Sequence, residues 1–402
     1  MTEKEHAPEL ATLFVPKEEM LEIRRKGKKI TIGIPSDFSK VEFRIPLTPE
    51  AVELLVSYGH EIYIETNAGK AANYTDEEYR KAGAVVVDKK AEVFQCDIVL
   101  RVSPFDQDEI ELLRGNQTLI SNLQLHTHCS ESIHNMMRKK VTSIAYEYME
   151  NEENCLPVVR LMSQISGATA ITIASEYLSN SRNGKGVLLG GVTGISPTEL
   201  VILGATTAAE FAARAALGLG ATVKVFDNNI FELRQLEERL GQRIFTSVLY
   251  PTVLKKALKS ADVVMGAMSF NSSPKFRVSE EMVQRMKKGS VIIDLNISQG
   301  GCFETSQCTD LNNPTFVKHG IVHYCVPNMS SLVARTASIA LSNVLTPVII
   351  SIGEIGGIQN YIKNSKGFRR GIYIYNGILT NHDLGEKLNL QAKDIDLLLA
   401  VF

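Results

Sequence analysis

Between Leu200 and Asp294 the chain alternates short apolar runs with helix-length segments so regularly that few folds remain open to it. Leu200–Leu203 is wholly apolar. Thr207–Leu217 is rich in alanine and is broken by Gly218 and Gly220. Thr222–Phe226 reads as a strand ending at Asp227, Ile230–Leu240 as a helix, and Asp262–Gly266 and Val291–Asp294 as further strands around a helix at Glu280–Met286. Strands without polar alternation are buried on both faces, which calls for a parallel sheet covered by helices on each side. The segment is therefore expected to form a βαβαβ half of a doubly wound α/β domain.

The turn after Leu203 reads Gly204-Ala205-Thr206-Thr207-Ala208-Ala209. Its place fits a dinucleotide fingerprint: strand, turn, helix N-terminus, and an acid at the end of the next strand. Asp227 lies 23 residues beyond Gly204, close to the spacing of a ribose-binding acid. Thr206 holds the second glycine position of G-x-G-x-x-G/A, and Ala209 is acceptable at the third. A threonine puts a Cβ and a hydroxyl where backbone must approach pyrophosphate, and it also supplies a helix N-cap. Two expectations stand side by side: a dinucleotide site of weakened affinity, or a nucleotide-type domain that no longer binds nucleotide well.

The same grammar runs earlier. A strand begins at Lys29, and Thr48 caps a helix over Pro49–Tyr58, which Gly59 closes. Glu61–Glu65, Val85–Val87 and Ile98–Val102 read as strands, with a helix at Asp76–Ala82 capped by Thr75. Leu156–Ser179, interrupted by Gly167 alone, is expected to be a long helix between two domains. Residues 184–197, with five glycines, form a loop. Ala337–Gly353 is apolar but short for a membrane span of roughly 20 residues, and it carries Ser338, Ser342, Asn343, Thr346, Pro347 and Ser351. It reads as a core helix bringing the chain back to the first domain. The tail, Tyr373–Phe402, ends in a helical pattern.

Composition narrows the partners. With 402 residues the chain is long enough for two or three domains, and 44% hydrophobic with 22% charged residues is a globular mix. A net charge of −2 gives no electrostatic case for nucleic acid or an anionic membrane. Residues 1–28 are charge-rich and lack the apolar core of a secretory signal. The six cysteines form no CxxC pair, so reduced thiols in the cytoplasm are expected.

Several residues are candidates for chemistry. Arg44 lies in an extended stretch suited to gripping a carboxylate by paired hydrogen bonds. Arg101 follows a strand. His126 and His128, two apart in ISNLQLHTH, would share a strand face, but no third ligand stands near and no metal is expected. Asp294 and Ser298 flank a strand end before Gly300-Gly301, and HYCVPN, ending at Asn328, is another strand end. Ligands of open α/β sheets sit outside such carboxyl ends.

Together the motifs are specific. GIPSDFSKVEFRIPLTPEAVELLVSYGH, GKGVLLGGVTGISPTELVILGA, SVIIDLNISQGGCFETS, VHYCVPNMSSLVARTAS and GIYIYNGILTN resemble the alanine dehydrogenase and pyridine-nucleotide transhydrogenase family, over roughly residues 29–390. The resemblance implies two Rossmann-like domains with parallel doubly wound sheets. A nucleotide domain at 166–334 would be inserted in a discontinuous substrate domain at 29–165 and 335–402, after an N-terminal extension at 1–28. It implies oxidation of L-alanine with NAD to pyruvate, ammonium and NADH, in a cytoplasmic homo-oligomer (hexamer or dimer) with no membrane insertion of its own.

Carried over by position, the substrate arginine matches Arg44 and the substrate lysine matches Arg101. The catalytic histidine matches Gln124, with His126 two residues away as a substitute, and the catalytic aspartate matches Ser298. The nucleotide contacts match Met162, Ser163, Gly204, Thr206, Ala209, Asp227, Asn328 and Met329. Glutamine and serine neither exchange protons nor carry the charge that the family's histidine and aspartate supply. The resemblance thus leaves an alanine dehydrogenase-type enzyme of altered chemistry beside two alternatives. One is a catalytically retired paralogue acting as a binding or regulatory subunit. The other is a transhydrogenase-alpha-like subunit with a separate membrane partner.

Overall fold

The computed structural model describes residues 27–37, 42–124, 130–269 and 276–401. Among them fifteen strands form two sheets. The first six are β1 (Thr31–Ile34), β2 (Glu61–Glu65), β3 (Val85–Val87), β4 (Ile98–Leu100), β5 (Thr118–Ser121) and β6 (Thr142–Ala145). They pair in parallel, and the chain winds from β1 through β2 to β3 in one direction, then from β4 through β5 to β6 in the other. The next seven are β7 (Glu199–Leu203), β8 (Thr222–Phe226), β9 (Phe245–Ser247), β10 (Val263–Gly266), β11 (Val291–Asp294), β12 (Thr315–Lys318) and β13 (Ile321–Tyr324). They repeat the scheme, with β7 and β10 adjacent at the reversal. Finally β14 (Ile372–Tyr375) and β15 (Ile378–Leu379) return to the first sheet beside β6. That sheet is thus built from both ends of the chain, with the second sheet inserted between them.

Each sheet is parallel at its centre and closes at one edge with antiparallel strands: β12 on β13, and β14 and β15 beyond β6. Central strands such as β1, β5, β10 and β11 are buried along nearly their whole length, as expected of strands covered on both faces. Apolar clusters fill both faces of both sheets.

Local signals in the sequence are realised. The Thr48 hydroxyl accepts from Ala51 N at the start of the helix Pro49–Ser57, and Thr75 and Glu78 form a reciprocal capping box. The long helix runs Pro157–Leu178. It gives Val158 and Met162 to the first sheet's core, and Ala170, Ile171, Ala174 and Leu178 to the second's. Gly167 permits its crossing with the helix Thr207–Gly218: a Cβ there would meet Ala208 O at 2.1 Å. The return helix Ala334–Glu354 carries Leu341, Leu345, Ile349 and Ile352 in one core with Ile32 and Ile34. By length and composition Met329–Glu354 is apolar enough to cross a membrane, yet half of it is buried within the protein.

The tail ends in helices as expected, at His382–Leu388 and Ile395–Val401, after the strands Ile372–Tyr375 and Ile378–Leu379. One expectation changes. The strand before Gln124 ends at Ser121, and Gln124 adopts a left-handed conformation (φ 40°). It therefore shares no strand face with a residue two positions on. His126 and His128, like the extension 1–26, lie outside the described residues.

Candidate active site

Both strand-order reversals have loops at the carboxyl ends of their strands, where α/β sheets bind ligands. At the first, the loops after β1 and β4 meet: the Arg101 Nη2 donates to Asp37 Oδ1 at 3.1 Å, and Ser103 N to Asp37 Oδ2 at 3.3 Å. Arg101 Nη1 also pairs with Glu109, which takes a second ion pair from Lys90 at 2.7 Å. Burial opposes the charge of Arg101, but Asp37 and Glu109 outweigh it and hold the guanidinium protonated above its ordinary range. Arg101 Nε is buried and finds no partner among the described residues.

Arg44 sits on the run that follows β1. This run joins no sheet. Serine hydroxyls from the far end of the chain take its amides instead: Phe43 N donates to Ser331 Oγ (2.8 Å), Ile45 N to Ser338 Oγ (2.9 Å) and Thr48 N to Ser342 Oγ (3.2 Å). The Arg44 side chain is buried and forks onto Glu42, Nε to Oε1 at 2.7 Å and Nη2 to Oε2 at 2.6 Å. Its Nη1 reaches Ser330 Oγ at 3.3 Å and the thioether of Met162 at 3.2 Å. Burial works against this charge too, and Glu42 more than offsets it. Tyr146 is buried beside the arginine and donates its hydroxyl to Val102 O at 2.9 Å.

Gln124 is exposed, on a turn held by its neighbours. Its amide donates to Asn122 Oδ1 at 2.9 Å, and Leu123 N donates to Glu147 Oε1 at 2.7 Å. Burial pushes the Glu147 carboxyl up to about 7, although backbone amides of this turn pull it down. Its Oε2 is buried and unpartnered among the described residues.

At the second reversal Gly204 turns with φ 105°, and a Cβ there would meet Ala267 O at 2.2 Å, so the loop after β7 needs glycine against the loop after β10. Ala205 N donates to Asp227 Oδ2 at 2.8 Å, and Asn229 N to Oδ1 at 2.8 Å. Thr206 is the N-cap: its hydroxyl accepts from Ala209 N at 3.5 Å and donates to Ala267 O at 2.9 Å. Asp294, at the end of β11, is buried and accepts from Ser306 Oγ and the amides of Cys302 and Asn296. Burial raises its carboxyl against those bonds.

The structure therefore groups Arg44 with Met162 and, through Glu42, with Asn328. It groups Gly204, Thr206, Ala209 and Asp227 separately. Ser163 is half-buried on the long helix, and Ser298 stands exposed on a short turn after β11. Met329 is buried in the second sheet's core with Tyr324 and Val326, a packing role. Sequence reasoning did not single out Glu42, Asp37, Glu109 or Glu147. Glu42 alone had a local signal: two residues from Arg44 on extended backbone, it falls on the same side.

Two doubly wound sheets, with a buried arginine at one switch point and a glycine turn with its acid at the other, define a two-domain protein of the Rossmann-like α/β class. The family models agree. Residues 33–166 match the N-terminal domain and 170–382 the C-terminal domain of Alanine dehydrogenase/PNT, and the chain belongs to this family. It is 35% identical over 367 residues to Alanine dehydrogenase 2 of Staphylococcus aureus, covering 91% of this chain and 98% of that protein. Among solved structures it is similar to an L-alanine dehydrogenase (TM-score 0.82, 33% identity, 89% of this chain and 98% of the other). It also shares the fold of a transhydrogenase from Sinorhizobium meliloti (TM-score 0.72, 22% identity, 87% and 98%).

Proposed function

We propose that the chain is an alanine dehydrogenase-type oxidoreductase, converting L-alanine, NAD and water to pyruvate, ammonium and NADH at low turnover. The observation that carries this reading is Arg44, a buried guanidinium at the first switch point whose Nη1 faces a thioether, a poor acceptor that a substrate carboxylate would replace with gain. The likeness to alanine dehydrogenases over nine-tenths of the chain supports it.

NAD suits the second switch point in most respects. Gly204 lets the loop approach closely, and Asp227 ends β8 where a ribose acid belongs. Gly204, Ala209, Asp227, Met162, Ser163 and Asn328 would hold it, Met329 being packed in the second sheet's core, and when bound it supplies the hydride acceptor. Thr206 fits less well, since its hydroxyl takes the Ala209 amide that an anion would otherwise use. Arg44 orients the substrate carboxylate. Arg101 is spent on Glu109 and Asp37 and contributes a fixed positive field rather than a mobile proton. Gln124 and Ser298 hold their places without proton exchange, and His126 is the nearest sequence candidate for that task.

The division 29–165 with 335–402 as substrate domain and 166–334 as nucleotide domain is supported by the two separate sheets, the first built from both ends of the chain. A cytoplasmic location agrees with the free thiols of Cys96, Cys155, Cys302, Cys308 and Cys325. A homo-oligomer, hexamer or dimer, agrees with the exposed Leu188, Val192, Ile195 and Leu219 on the nucleotide domain.

A specific observation keeps the second reading, a retired paralogue used as a binding or regulatory subunit: both Asp227 oxygens and the Thr206 hydroxyl are engaged within the fold. Alanine-dependent NADH formation separates the two. Turnover at an ordinary roughly 1–10³ s⁻¹ excludes the paralogue, and survival of that activity in His126→Ala excludes His126 as the base. If wild type is inactive and Arg101→Lys, Gln124→His, Ser298→Asp with Thr206→Gly recovers nothing, the enzymatic reading fails.

A further inference from the structure

Glu42 is 3% exposed and accepts from two segments of the chain, its own run and the turn at Asn328–Ser331. Its Oε1 takes Arg44 N (3.0 Å), Arg44 Nε (2.7 Å) and Ser331 Oγ (3.3 Å). Its Oε2 takes Arg44 Nη2 (2.6 Å) and Asn328 Nδ2 (2.8 Å). A carboxylate offers about four lone-pair positions, so five donors leave this one saturated, and it is too buried for water to replace a lost partner. Arg44 and Asn328 share one oxygen. Asn328 lies just beyond β13 in a left-handed conformation (φ 59°) and opens the turn Met329–Val333 that leads into the return helix.

We propose that Glu42 is a positioning residue coupling carboxylate binding at Arg44 to dinucleotide binding at the Asn328 loop. The inference rests on the oxidoreductase reading above, which places the carboxylate at Arg44 and the dinucleotide beside Asn328. The fork from Arg44 to Glu42 fixes Nε and Nη2 and leaves Nη1 as the end presented toward Met162 and Ser330. A carboxylate drawn to Nη1 shifts the guanidinium, and the fork carries the shift to Oε2. Asn328 must follow or lose a hydrogen bond inside a dry site, where an unmet donor is costly. By linkage the influence is mutual: a dinucleotide that settles Asn328 also settles Arg44.

The test is calorimetry of NADH on the full-length protein, without and with saturating oxamate, an unreactive carboxylate analogue of pyruvate. In wild type, oxamate tightens NADH by about tenfold, a typical coupling between sites. Glu42→Gln brings this factor below about threefold, because an amide places donors against donors. Asn328→Gly suits the left-handed backbone there, leaves the Arg44–Glu42 fork in place, cuts the bridge from its far side and lowers the factor equally. It decides the matter if Glu42→Gln does not fold. The double variant loses no more coupling than either single one. A purely structural Glu42 would weaken NADH with and without oxamate alike, and coupling retained in the folded variants overturns the inference. So does a wild type that binds NADH indifferently to oxamate. A wild type that binds no NADH refutes the oxidoreductase reading itself and takes this inference with it.

Discussion

Thr206→Gly isolates the feature that most separates this nucleotide turn from one built for pyrophosphate. Two terms decide its effect on stability. Glycine is itself a tolerable N-cap and costs only a few tenths of a kcal/mol against threonine in most helices. The hydroxyl also donates to Ala267 O at 2.9 Å, tying the loop after β7 to the loop after β10. Losing that bond costs about 0.5–1.5 kcal/mol. The sum is about 1–2 kcal/mol of destabilisation, a fall of a few degrees in melting temperature. For the ligand the sign reverses. With the hydroxyl gone, Ala209 N has no side-chain acceptor at the helix start. A hydrogen bond from such an amide to a charged phosphate contributes about 1.5–3 kcal/mol, a tightening of roughly tenfold to a hundredfold. Calorimetric titration of NADH, paired with thermal melts of the same samples, measures both. A variant that melts lower yet binds NADH more tightly is the expected pair. Wild type binding at low micromolar affinity, with no gain in the variant, refutes the reasoning.

Three further outcomes follow from other parts of the molecule. Asp227 ends β8, where a ribose-binding acid is expected, and there would repel a 2′-phosphate, so NADH binds more tightly than NADPH, and competition calorimetry showing the reverse overturns the assignment. Ser338→Ala leaves the Ile45 amide unmet in a buried place and costs about 1–3 kcal/mol, read as a shift in denaturation midpoint without change in slope. Burial raises Glu147 to about 7. A raised carboxyl binds its proton more tightly folded than unfolded, so its stabilising contribution is complete below the unfolded value and is lost as pH climbs toward 7. Glu147→Gln keeps an acceptor for Leu123 N and removes this dependence. The variant is therefore more stable than wild type at pH 8 by a few kcal/mol relative to the difference at pH 5, and parallel pH profiles would show the carboxyl to be unperturbed.

What the sequence revealed and what it concealed divide along the range of the forces involved. The central strands and helices were legible because burial on both faces writes itself as uninterrupted apolar runs such as Leu200–Leu203 and Val291–Ile293. Thr48 and Thr75 were legible because a cap is a contact within one turn. Phe245–Ser247 was not, being three residues at a sheet edge with little burial to mark it. Nor was the end of β5 at Ser121. Apolar residues recur past it at Leu123, but Glu147 on the neighbouring strand's exit and the Asn122 side chain take the next amides out of the ladder. Of the site, Arg44, Gly204 and Asp227 were visible as residue types at telling positions. Their partners were not. The carboxylates that hold Arg101 come from a loop 64 residues before it and the first turn of a helix 8 residues after it, and no local rule joins them. The serines under the Arg44 run lie nearly three hundred residues away.

The pairing of functional groups with the fold itself sets what a ligand can gain. Asp227 gives both oxygens to backbone amides, Arg101 is bound between Asp37 and Glu109, and Thr206 caps its own helix. A ligand arriving there exchanges one hydrogen bond for another of similar strength, and the net return on exchange is small. Arg44 differs in one atom. Its Nε and Nη2 are engaged as fully as those groups, but Nη1 meets a thioether and a serine hydroxyl at 3.2 and 3.3 Å. Replacing sulfur by a carboxylate oxygen converts a weak contact into a charge-assisted one, about twice as strong as a neutral bond. On the proposed function, a carboxylate at Arg44 is thus the ligand with free energy to contribute, and a dinucleotide would draw on what Asn328 gains when Arg44 is already engaged.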